Sequence, residues 1–150
     1  MQVEETLLTR RIIIETKDPY SLALELMEAA SQFGNIVEKE NKYETDGPER
    51  KTTLNFEIVE NTDRASHLVV EFNTLGETNS VNYLGIDITA RFVCSIMSEG
   101  FFSSAFTDYY LKHLFPRYLK SADDKIKRID KAMVDFAEAA SKKARQAKAV

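Results

Sequence analysis

The sequence predicts a single α+β domain built on a curved antiparallel sheet of five strands. The elements come in the order strand, helix, four strands, long helix. Three observations carry this. Leu84, Ile86, Ile88, Ala90, Phe92, Cys94 and Ile96 alternate with polar or small neighbours over thirteen residues, the period of a half-buried strand. Leu22, Leu26, Ala29, Ala30 and Phe33 recur at helical spacing just after Asp18-Pro19. Ile126, Ile129, Met133, Phe136 and Ala140 repeat at intervals of three and four, which places one narrow apolar stripe on a long helix.

Taken in order, Leu7 to Thr16 is β-branched and apolar, interrupted by Arg10 and Arg11, and reads as the first strand. Asp18 is placed to cap a helix that Pro19 opens, since proline suits the first helical position. Gly34-Asn35 is expected to stop that helix, because both residues tolerate left-handed backbone angles. Ile36 to Thr45 is charged and reads as an edge strand, with Val37 and Tyr43 as its inward residues. Asp46-Gly47-Pro48 is a turn. Leu54, Phe56 and Ile58 alternate in the next strand, and Leu68, Val70 and Phe72 in the one after it. The last strand is the longest, and Gly85 is expected to mark a bulge or bend in it. A helix from about Gly100 to Leu114 follows, kinked or broken at Pro116, which lacks a backbone donor and crowds the preceding turn. The long helix comes next. Residues 1–140 form the domain, and 141–150, SKKARQAKAV, read as a fraying basic helical tail.

A chain of 150 residues buries about two thirds of its unfolded surface, enough to fold without a metal or disulfide. Its one cysteine, Cys94, points inward in the alternation and reads as packing. The lone cysteine and the absence of a signal-like N-terminus suggest a cytoplasmic protein. No apolar run approaches the roughly 18 residues that span a bilayer. Charge is uneven: residues 1–116 hold ten Lys+Arg against nineteen Asp+Glu, and residues 117–150 hold ten against five. The basic end is a place where nucleic acid or an acidic partner could touch. It is equally a solvated helix end whose cations suit the negative pole of the helix dipole.

Catalytic patterns do not emerge. His67 and His113 lack paired metal-ligand spacing, and the five glycines are scattered. Glu38, Glu40, Glu44 and Asp46 share a strand, but Lys39 and Lys42 interleave with them. No catalytic residue, metal or cofactor is therefore assigned.

The element order resembles the fold shared by TATA-binding-protein repeats and START-like helix-grip domains, in which a curved antiparallel sheet wraps a C-terminal helix. The resemblance spans nearly the whole chain as an order of elements. The helix-grip branch implies a carrier of an apolar small molecule, or a START-like cyclase or hydrolase. The TATA-binding branch implies DNA on the open sheet face. That face here would set Glu57, Glu71 and Asp87 against Arg11 and Arg91, and an acidic face repels phosphate. Ala90, Phe92-Val93-Cys94, Gly100, Phe102 and Leu114-Phe115-Pro116 also resemble the bacterial SecB-type export chaperones, which implies unfolded chains as partners.

One segment stands out. Residues 99–120 hold seven of the fifteen aromatics. On a helical wheel Phe102, Phe106, Tyr109 and Tyr110 share one arc with Ala105 and His113, and Phe101, Leu111 and Phe115 lie on another. The helix scarcely shows a polar face. Three roles fit: a helix sandwiched in the core, a contact surface, or the wall of a ligand pocket. The sequence expectation is a non-catalytic binding protein. Phe101, Leu111, Phe115 and Tyr118 would meet a protein partner or form a homodimer. Alternatively, Phe102, Phe106, Tyr109 and Tyr110 would line a pocket for an apolar small molecule.

Overall fold

A computed structural model describes residues 2–61, 66–78, 82–95 and 108–149. The strands are β1 (Gln2–Glu15), β2 (Ile36–Asp46), β3 (Glu49–Asn61), β4 (Ser66–Thr78) and β5 (Asn82–Ser95). They form one antiparallel sheet in the order β1-β5-β4-β3-β2. Helix α1 (Pro19–Ala30) and helix α2 (Phe115–Ala149) complete the α+β architecture. An open sheet with a long C-terminal helix is compatible with a helix-grip-like arrangement.

Helix α1 begins where the sequence chemistry puts it. The Asp18 carboxylate accepts a hydrogen bond from the Ser21 amide at 3.1 Å, and Pro19 follows at the first helical position. That bond satisfies one of the amides a helix start leaves unpaired. Beyond Ala30 the chain tightens into a 3-10 turn, Ser31–Phe33, before Gly34. At the other end of the chain, Tyr110–Leu114 winds as a π-helical turn and passes directly into α2. The helix is therefore continuous through Pro116. The irregularity expected there takes the form of the wider turn just before it, where the Phe115 amide donates to the Tyr110 carbonyl. A proline withholds one helical donor and needs room over the preceding carbonyls, and a π turn is a local way to accommodate such a break.

Both helices cover the same face of the sheet. α1 packs over β3, β4 and β5, while α2 packs over β1 and β5. The core lies between these layers. Leu84, Ile86, Ile88, Ala90, Phe92 and Cys94 of β5 are essentially sealed from water. Phe56 and Phe72, paired in register, stack with ring centroids 4.7 Å apart. From the helices come Leu22, Leu26 and Ala30, then Ile126, Ile129 and Met133. Each fully buried side chain of this size contributes about 1.5–3 kcal/mol of apolar burial.

Two expectations about strands are corrected. Val37 is exposed rather than inward, whereas Tyr43 faces the helix side as expected, half exposed beside Tyr20 of α1. The cause is a bulge between Glu38 and Glu40. Before it, Ile36 and Glu38 face the same way as Ile58 and Phe56. After it, Asn41 and Tyr43 do. One extra residue changes the phase of the pleat, so Val37 and Tyr43 end on opposite faces. Gly85, by contrast, sits in regular pairing with Ile13 and Leu75. The break in β1 lies at Thr6–Leu8 instead.

The face without helices carries paired charges. Arg91 reaches Glu71 at 2.5 Å and Glu4 at 3.2 Å, Lys39 reaches Glu57 at 3.2 Å, and Arg11 lies 3.7 Å from Asp87. The three carboxylates that made this face look acidic each have a cation beside them.

Candidate functional site

The helix layer is sealed in its middle and open at its ends. α1 begins beside the far half of α2 and ends beside its near half, so the two run antiparallel. In the middle, Ile126, Ile129 and Met133 fill the space above the sheet. Further along α2 the inward side chains shrink. Phe136 is followed by half-buried Ala140 and Ala144, and there the helices no longer close over one another. An open cleft of about 530 Å³ results.

Leu22 of α1 and Phe136 and Ala140 of α2 supply the apolar part of its lining. Glu15 and Asn82 come from the adjoining end of the sheet, Lys17 from the link between β1 and α1, and Glu25 and Lys143 from the helices. Asp18 lines the same opening while its carboxylate caps α1. The arrangement can surround an apolar body and present both carboxylate and ammonium groups to a polar end. Leu22, Phe136 and Ala140 were legible in the sequence only as parts of apolar stripes. The one signal of an opening was the replacement of bulky residues by alanine after Phe136.

The aromatic segment is described from Asp108 onward, and Phe101, Phe102 and Phe106 lie outside the described residues. Tyr110 is 1% exposed. It packs on Cys94, and its hydroxyl shares a hydrogen bond with the Ser66 hydroxyl. A buried phenol needs such a partner to offset its lost hydration. Phe115 is half-buried, with its ring 5.4 Å from that of Phe92. Leu111 and Tyr118 are also half-buried against this cluster, and the Tyr118 ring lies 6.2 Å from that of Tyr110. Tyr109 points outward at 56% exposure, its ring 5.0 Å from the imidazole of exposed His113. The structure thus brings Tyr110, Leu111, Phe115 and Tyr118 together over the Cys94 end of the sheet. The described residues of this segment are not among those lining the apolar cleft.

Sequence reasoning also missed Arg10. Its position opposite Ile88 turns it toward the helix layer, where Nη2 donates to Asp130 Oδ2 of α2 at 2.8 Å and Nε donates to Oδ1. This bidentate pair anchors the outermost strand to the long helix. Among the described residues, no helix is long and apolar enough to cross a membrane, and no group of three or more potential ligand side chains forms a metal centre.

Comparison with known proteins adds no family: no family model matches this chain, and no curated protein matches it significantly.

Proposed function

We propose that this protein is a binding protein that carries an apolar small molecule in the cleft between the start of α1 and the far half of α2. The observation that carries this reading is the cleft itself. Its 530 Å³ lies within the range of small-molecule sites, about 300–1,000 Å³. Leu22, Phe136 and Ala140 give apolar contact, and charged groups stand around it to orient one polar end.

Fluorescence titration with a neutral naphthylamine dye tests the proposal. Saturable enhancement is expected for the wild-type chain. Ala139→Phe places a ring in the cleft from an exposed helical position, and should abolish the enhancement with little change in melting temperature. Equal dye binding by that variant, or none by the wild type, would refute the carrier reading.

A second reading, in which the aromatic segment meets a protein partner or a second copy, is favoured by exposed Tyr109 beside His113. Tyrosine buries a large area at low entropic cost when an interface forms. Native mass spectrometry separates the two. A dimer lost on Tyr109→Ala supports the interface, whereas a monomer with retained small-molecule mass supports the carrier.

A further inference from the structure

The opposite end of the helix layer has a different chemistry. There the 3-10 turn Ser31–Phe33, the end of β3 and the near half of α2 enclose a second cleft of about 460 Å³. Phe33 and Leu68 supply apolar contact. Lys125 and Arg128 lie three residues apart on α2, hence about one turn apart on one side of it.

Among the described residues, the charges lining this cleft are unbalanced. Lys125, its side chain 19% exposed, donates to Glu60, whose own side chain is 49% exposed. Arg128 has no ion pair among the described residues. Among the described residues lining the cleft, one carboxylate therefore answers two cations. Burial and the neighbouring Arg128 both lower the Lys125 pKa, so the ammonium is held where its charge is poorly solvated. Tyr118 and Ser121 add hydroxyls to the same lining.

We propose that this cleft binds a phosphate monoester, with Lys125 and Arg128 on the phosphate and Glu60 displaced toward solvent. The charge count selects the ligand. A phosphate monoester carries a charge of about −1.5 to −2 near neutrality, which answers both cations at once. The guanidinium of Arg128 matches phosphate oxygens in bidentate fashion, and Lys125 acts as a point charge. The half exposure of Glu60 lets it leave at small cost, since such pairs are weak in water. Phe33 and Leu68 receive the organic part of the ligand. This inference stands on a cleft, residues and charges separate from those of the apolar site.

Calorimetric titration of the full chain with phenyl phosphate tests it. Saturable binding at millimolar concentration or below is expected. Arg128→Gln, at an exposed position, should weaken it about tenfold with an unchanged melting temperature. Glu60→Gln should strengthen it about threefold by removing the competing carboxylate. Vesicles of phosphatidylcholine with and without phosphatidic acid then identify the source. Cosedimentation only with phosphatidic acid, lost in Arg128→Gln, assigns a lipid headgroup. Phenyl phosphate binding without cosedimentation assigns a soluble ligand. Either result supports the phosphate site. Absence of both kinds of binding overturns it, as does wild-type phenyl phosphate affinity in Arg128→Gln or weaker binding in Glu60→Gln.

Discussion

Strands β5 and β2 belong to one sheet and obey opposite rules. β5 is paired on both sides, to β1 and β4, and its inward side chains from Leu84 to Cys94 are sealed beneath the helices. β2 is an edge, paired only to β3, and its described side chains are exposed except for half-buried Ile36 and Glu40. In β5, burial on one face penalises any slip, because a shift of one residue would turn every apolar side chain outward. In β2 nothing comparable is at stake, so the strand accommodates a bulge. Its charges suit its place: Lys42 pairs with Glu40 at 2.9 Å, and Lys39 reaches across to Glu57. Charged side chains also deter a second chain from adding to the open edge. A pattern in sequence is therefore trustworthy in proportion to what misplacing it would cost.

Substitutions sharpen this contrast, beginning with the largest effect. Phe92→Ala should cost about 3–5 kcal/mol, because Phe92 is fully buried and touches the ring of Phe115. Urea unfolding measures it, and a loss below about 1 kcal/mol would show that the interior strand is no more constrained than the edge. Gly76→Ala comes next. A Cβ there would lie 2.4 Å from Pro19 Cβ, so the start of α1 must shift away from β4. A cost of about 1–3 kcal/mol is expected from the overpacking, and an unchanged thermal midpoint would mean that the helix start is free to move.

Tyr43→Ala should have a smaller effect. Its ring meets the edge of Tyr20, with centroids 5.8 Å apart, a pair worth about 0.5–1.5 kcal/mol. The smallest effect is expected for Val37→Ala, within about 0.5 kcal/mol in denaturant melts. That variant is the sharpest test of the bulge. An uninterrupted inward alternation would bury Val37, and its truncation would then cost several times more.

Legibility followed the same division in the rest of the molecule. Asp18-Pro19 announced a helix start because capping is decided within a few residues, and the Ser21 amide indeed finds the Asp18 carboxylate. Ile126, Ile129 and Met133 announced the buried stripe of α2 because helical periodicity is also local. The inward orientation of Cys94 followed from its place in β5. The Arg10–Asp130 pair was invisible, since its partners are 120 residues apart. Arg10 looked like an interruption of an apolar strand, when it is that strand's tie to the long helix. The clefts were equally hidden. Leu22 and Phe136 carry the same apolar signature whether they face a filled core or an opening. Lys125 and Arg128 look like any solvated helix face until β3 brings Glu60 against Lys125.

The two readings of the aromatic segment illustrate the limit. Composition singled out residues 99–120, and a helical wheel sorted them into two arcs. Only packing sent Tyr110 onto Cys94 and left Tyr109 in water, although both lay on the same arc.

By itself, then, the sequence determined the class of the fold, the order of its elements, the start of α1 and the inward face of the interior strands. These depend on contacts between near neighbours, or on a periodicity that burial enforces along the whole element. Tertiary structure alone decided the phase of the edge strand, the partner of Arg10, the tilt of burial across the aromatic segment and the two clefts. Each of these depends on which distant surface arrives opposite a given side chain, and on how much space the meeting leaves unfilled.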